Sequence, residues 1–214
     1  MRSKVFGIGL NKTGTTTLGV CLRHLGYRHC SFNLALLEQV SRGELAGVLE
    51  HCHRFDAFED WPYPLIYKAV DAAFPGSRFV LTRRRSAERW YASLADHALR
   101  TRLREGCRSR SLAYGVAYPQ LDPSGLLVRY EQHLQQVRAH FAGREDQLLE
   151  LCWEDEPDWR RLCTFLDEPT PPGPPPHANA GAGQKVPLQR LQNRLWLAVL
   201  QQRSSQKKEP GGRS

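Results

Sequence analysis

No stretch of this sequence approaches the ~20 consecutive apolar residues that a membrane-spanning helix needs, so no transmembrane segment is expected. The apolar run nearest the N-terminus, Val5 to Leu10, is far too short for a signal-peptide core. It runs into Asn11-Lys12 instead of a small-residue cleavage site. The cysteines, Cys21, Cys30, Cys52, Cys107, Cys152 and Cys163, include no C-x-x-C pair, which excludes the redox and zinc motifs built on that spacing. They are expected as reduced core thiols, in keeping with a cytoplasmic setting. The histidines from His24 to His140 show no metal-ligand pattern with supporting acids, so no metal is expected. There is no internal repeat, which excludes a solenoid or propeller.

What is present fits one α/β domain. The chain has 214 residues, 41% of them hydrophobic, enough to bury a core. Its formal net charge of +8 favours an anionic partner without naming it. Lys4 to Gly9 reads as a short buried strand, and Leu18, Cys21, Leu22 and Leu25 then recur at helical period before a stop at Gly26. Helical stretches follow at 34–42 and 44–53, then a strand-like Asp56-Ala57-Phe58-Glu59 and a helix through Leu65 to Ala73. Ser77 to Thr82 is rich in β-formers and leads through a basic turn into a helix from about Ser86 to Leu99. The arginine-rich stretch Arg100 to Arg110 lacks apolar periodicity and is expected to be a solvent-facing loop. A further helix around Tyr130 to Phe141, a strand at Leu148 to Cys152 and a short helix at Trp159 to Leu166 complete an alternation that predicts a mostly parallel sheet covered on both faces. The expected boundaries are one domain over 1–180, an amphipathic helix over 181–203 with Leu188, Leu191, Leu195 and Val199 on one face, and a disordered tail over 204–214.

The strongest chemical signal is the loop Gly9-Leu10-Asn11-Lys12-Thr13-Gly14-Thr15-Thr16-Thr17 between strand and helix. Backbone N–H groups there, with the positive end of the helix dipole, make an anion site for phosphate-like groups. In the triphosphate-binding form G-x-x-x-x-G-K-[ST], lysine follows the second glycine. Here Thr15 stands in that place and the lysine is Lys12, inside the loop, which argues against a kinase or NTPase. A dinucleotide-binding G-x-G-x-x-G also fails, because Lys12 occupies the third glycine position.

Lys12-Thr13-Gly14-Thr15-Thr16 resembles the K-[ST]-G-T-T loop of sulfotransferases, a P-loop-type three-layer α/β family. A second element is similar to that family: Arg85-Ser86-Ala87-Glu88-Arg89-Trp90-Tyr91-Ala92-Ser93 follows the R-D-P-x-x-W-Y-x-S form of a smaller branch, with Ser86-Ala87 in place of Asp-Pro. Asp60-Trp61-Pro62 resembles the branch's D-x-P element. Trp159, Leu162, Cys163, Phe165-Leu166, Pro169, Pro171, Pro176-His177 and Asn179 resemble its C-terminal pattern, so the likeness spans roughly residues 4 to 180.

The resemblance implies transfer of a sulfuryl group from 3′-phosphoadenosine-5′-phosphosulfate to an acceptor hydroxyl or amine. It implies that Lys12, Thr13, Gly14, Thr15, Thr16 and Thr17 hold the phosphosulfate and that Arg85 and Ser93 hold the 3′-phosphate, with Arg83 and Arg84 as alternatives to Arg85. Lys12 would reach the bridging oxygen. Asp60 would be the base, with Glu59 second, or else a helix cap. His177 and Asn179 either close over the nucleotide or form a turn. No nucleic-acid partner is expected, and acceptor and oligomeric state are not legible. The rival reading is a nucleotide-binding protein that keeps the loop without turnover.

Overall fold

The computed structural model describes residues 2–101, 103–155, 159–175 and 187–206. Pro176, His177 and Asn179 lie outside the described residues. Five strands form one all-parallel sheet: β1 (Val5–Gly7), β2 (His29–Cys30), β3 (Ala57–Phe58), β4 (Arg78–Thr82) and β5 (Leu148–Leu151), in the order β2-β3-β1-β4-β5. The helices are α1 (Thr15–His24), α2 (Leu34–Ser41), α3 (Leu45–Cys52), α4 (Tyr67–Ala73), α5 (Ala87–Arg100), α6 (Leu103–Tyr114), α7 (Pro123–His140), α8 (Arg160–Leu166) and α9 (Pro187–Gln206). This is the three-layer P-loop-like α/β architecture that the alternation predicts.

Strand pleating divides the core in two, because successive side chains leave a strand on opposite faces. Phe6, Phe58, Phe79 and Leu81 pack on one face with Leu37 of α2, Val48 of α3, Val70 of α4, Trp90 of α5 and Leu134 of α7. Val5, Ala57, Val80, Leu149 and Leu151 pack on the other with Leu18, Cys21 and Leu22 of α1 and Leu162 and Cys163 of α8. Both faces being covered explains why the central strand β1 and the middle of β4 are apolar throughout, whereas edge strand β5 alternates and turns Glu150 outward. The cysteines are free thiols, and four of them, Cys21, Cys52, Cys152 and Cys163, are buried. Burial pushes the Cys21 and Cys52 thiols up to about 12.

The tail expected over 204–214 begins later, since 204–206 belong to α9 and 207–214 lie outside the described residues. Two further segments differ from the sequence reading. β2 was not foreseen; two residues long, it carries too little pattern to detect. The arginine-rich stretch is not a loop from Leu103 onward but helix α6. Its Arg110 is 2% exposed, with Nε donating to the Ala117 carbonyl at 2.6 Å and Nη1 to Thr101 Oγ1 at 2.9 Å. A buried arginine satisfied by local acceptors does what an apolar residue would do for this helix, and periodicity counts cannot register it.

Candidate active site

The strand order puts β1 between β3 and β4, so the segments leaving their carboxyl ends meet at the centre of the sheet, where open parallel sheets bind ligands. The segment leaving β1 is the loop carrying Lys12. It is held from every side. Gly9 lies against β4 so closely that a Cβ there would stand 2.1 Å from Thr82 Oγ1. Thr13 Oγ1 donates to the Leu10 carbonyl at 2.6 Å and is 2.6 Å from Thr82 Oγ1, so this hydroxyl braces the loop and does not face a ligand. Trp90 Nε1 of α5 donates to the Asn11 carbonyl at 2.9 Å, and Tyr114 Oη of α6 donates to Asn11 Oδ1 at 2.5 Å. Arg84 Nε donates to the Lys12 carbonyl at 2.8 Å.

Lys12 and Gly14 both have left-handed backbone, with φ of 70° and 97°. Gly14 is the N-cap of α1, and no side chain caps the helix there. The first N–H groups of the helix, on Thr15, Thr16 and Thr17, therefore have no intrahelical partner and sit at its positive end. A Cβ on Gly14 would come within 2.4 Å of the Trp153 ring, which closes the loop from the β5 side. Thr15 is buried, whereas Thr16 is exposed.

Lys12 Nζ is 3.5 Å from His97 Nδ1 on α5. Burial, the Arg100 charge and the Arg84 charge lower the lysine pKa, against the pull of Asp60 and Asp96. Burial first, then Lys12, Arg110 and Arg100, push His97 down to about 4, so its imidazole is neutral and free to accept from the ammonium. Ser93 stands one turn before His97 and Arg89 one turn before Ser93. These three form one row along α5, about 100° round the helix from buried Trp90, Leu94 and Ala98.

Asp60 follows β3 with a left-handed φ of 65°. Its Oδ1 accepts from the Trp61 N–H at 2.8 Å, and the short turn of helix beginning at Tyr63 has no side-chain cap. Burial, then the Glu59 charge, raise the Asp60 carboxyl to about 7, against the Trp61 N–H and Lys12. Glu59 points the other way. It is 2% exposed, accepts from Ser31 Oγ and lies 3.5 Å from His29 Nε2, packed beside Gly19 of α1.

The three arginines after β4 diverge. Arg83 pairs with Glu150 at 2.6 Å, and Arg84 pairs with Glu154 at 3.0 Å while holding the loop. Arg85 Nε donates to Asp155 at 2.5 Å and its Nη2 to the Glu154 carbonyl at 2.7 Å, with half of its side chain exposed. The sequence reading placed Asn11 in the loop without a role and missed Tyr114 and His97, whose roles arise from contacts 103 and 85 residues apart. No local pattern carries that information. Among the described residues there is no cluster of three or more histidines, cysteines or acids able to hold a metal, and no helix long and apolar enough to cross a membrane.

A family model described as a sulfotransferase domain matches residues 4–184. A curated relative, Ava biosynthesis cluster protein M of Aspergillus versicolor, is 25% identical over 236 aligned positions, covering 92% of this chain and 89% of that protein. The matched span takes in all five strands, the lysine loop and the arginine turn, and on that ground the chain is an enzyme of the sulfotransferase domain family.

Proposed function

We propose that the chain transfers a sulfuryl group from 3′-phosphoadenosine-5′-phosphosulfate to an acceptor hydroxyl or amine. The observation that carries this reading is the convergence of an uncapped helix N-terminus, Lys12 and Asp60 at the ends of adjacent central strands. The loop N–H groups from Thr15 to Thr17 and the Thr16 hydroxyl suit the 5′-phosphosulfate. Ser93 and Arg85 suit the 3′-phosphate, Arg85 because its side chain is half exposed and would exchange its contacts with Asp155 and the Glu154 carbonyl for the phosphate, whereas Arg84 is committed to the loop. Thr13 serves by bracing the loop, since its hydroxyl and its backbone N–H both donate to the Leu10 carbonyl.

In the reaction the acceptor oxygen or nitrogen forms a bond to sulfur as the bond from sulfur to the bridging oxygen breaks. The electron pair of that bond stays on the bridging oxygen, and the acceptor proton passes to the Asp60 carboxylate. Lys12 stabilises the charge growing on the bridging oxygen, the place where stabilisation lowers the barrier instead of deepening the ground state. A carboxylate raised to about 7 is a stronger base than an ordinary aspartate and still ionised at mildly alkaline pH.

The test is thermal stability and calorimetry with 3′-phosphoadenosine-5′-phosphate, AMP and ATP, followed by transfer of labelled sulfate to phenols, alcohols and amines. The first nucleotide should stabilise most, because it alone fills both anion sites, and Arg85→Ala should erase its advantage over AMP. Binding without transfer to any acceptor or to water would leave a nucleotide-binding protein instead of an enzyme.

A further inference from the structure

Helix α9 (Pro187–Gln206) is apolar on two opposite faces, and only one of them is used. On the inner face Leu197 packs with Ala98 and Tyr118, and Asn193 is fully buried. Asn193 accepts from Tyr118 Oη at 2.6 Å and donates to the Leu99 and Thr101 carbonyls at 3.0 Å, while Arg190 pairs with Asp96 at 2.6 Å. These contacts fix the helix on the C-terminal end of α5.

The outer face is exposed. Leu188, Leu191, Leu195, Trp196 and Val199 have relative exposures of 67, 55, 61, 44 and 37%. At 100° per residue they form one stripe about 17 Å long, centred away from the Asn193 and Leu197 side. Scattered exposed leucines mean nothing, but a contiguous stripe on a docked helix marks an interaction surface.

The charge around the stripe names the occupant. From Pro169 to Lys208 the sequence contains no aspartate or glutamate but has Lys185, Arg190, Arg194, Arg203, Lys207 and Lys208. The same helical projection sets Arg203 beside one border of the stripe and Arg194 beyond the other, and neither has an ion pair among the described residues. A second copy of this helix laid on the first would bring these cations together with no acid of its own to meet them. A surface that is apolar below and anionic above satisfies both the leucines and the arginines, and an indole such as Trp196 suits the boundary between them.

We propose that α9 is an interfacial anchor whose outer stripe enters the headgroup region of an anionic lipid surface, lying on the membrane instead of crossing it. The helix is too polar to span a bilayer, which agrees with this orientation. Because α9 is pinned to the end of α5 that carries His97 and Arg100, docking would hold the lysine loop at a fixed distance from the surface.

The experiment is flotation of the full-length protein with phosphatidylcholine vesicles made with and without phosphatidylserine. The variants are Leu191→Ser/Leu195→Ser and Arg194→Glu/Arg203→Glu. All four positions are exposed, and an unchanged melting temperature will verify that each variant folds. The expected result is flotation only with phosphatidylserine, weakened by added salt and reduced roughly tenfold or more in both variants. Failure of the wild type to float with phosphatidylserine overturns the proposal, as does equal flotation of the serine variant. A wild-type dimer in solution that floats with neither vesicle and is split by the serine substitutions would assign the stripe to a second copy and also overturn it. None of these outcomes depends on sulfuryl transfer.

Discussion

Asp60 offers a test in which stability and catalysis should move in opposite directions. An aspartate in the unfolded chain ionises near 3.8, whereas burial and the neighbouring Glu59 raise the folded carboxyl to about 7. The sign follows from which state holds the proton. Between those two values the unfolded chain has released it and the folded protein keeps it, so stability falls as pH rises through the window and the full penalty is present above 7. At 1.36 kcal/mol per unit, the penalty is on the order of 1–2 kcal/mol at pH 5 and on the order of 4 kcal/mol at pH 8. Asp60→Asn removes the ionisation, keeps the shape and tolerates the left-handed φ of 65°. Urea unfolding of wild type and variant at both pH values should therefore show the substitution more stabilising at pH 8 than at pH 5, by roughly 2–3 kcal/mol. Transfer by the same variant should fall about 10²-fold or more while affinity for the desulfated nucleotide holds. A stability difference that is the same at both pH values would refute the assigned environment of Asp60. Normal turnover would remove its role as base.

Lys12→Ala should lower the transfer rate more than it lowers affinity for 3′-phosphoadenosine-5′-phosphate, and Lys12→Arg should restore little, since a planar fork cannot place one charge where the ammonium stood; rate and calorimetry measured together decide it. Gly14→Ala should cost more than 1 kcal/mol of stability, because φ of 97° is strained for alanine and its Cβ would strike the Trp153 ring 2.4 Å away. Nucleotide affinity should fall with it, and an unchanged melting temperature together with unchanged binding would show that the loop does not need its left-handed turn.

The loop was legible because its chemistry is local: strand, lysine, glycine and helix follow one another within a few residues, and the left-handed Gly14 is what a short anion-binding turn requires. The central strands β1 and β4 were legible because burial on both faces leaves their middles apolar. What joins the site was hidden. Trp90 reads in sequence as an apolar position of α5 and as the tryptophan of a family motif, and neither reading says that its indole N–H holds the loop backbone. His97 reads as an isolated histidine and comes to lie beside Lys12 only once β4 and α5 have turned back over β1. Amphipathic spacing in α9 was visible, but a helix with two apolar faces does not announce which one turns inward. Buried Asn193, a polar residue satisfied by two carbonyls, decides it.

The braces on the loop impose a geometry on whatever binds there. Thr82 clamps Gly9 and Thr13 to β4, the strand that also carries the arginine turn, while Trp90 ties the same loop to the helix bearing Ser93. If the lysine loop and the arginine turn are the two anion sites proposed above, they form the jaws of one rigid caliper, its gap set by the sheet and not by the ligand. A nucleotide with phosphates at both ends would then span the gap and engage both jaws at once, each contact raising the effective concentration of the other. A nucleotide charged at one end would grip a single jaw, however many phosphates it carries there, so selection among nucleotides would become a measurement of length.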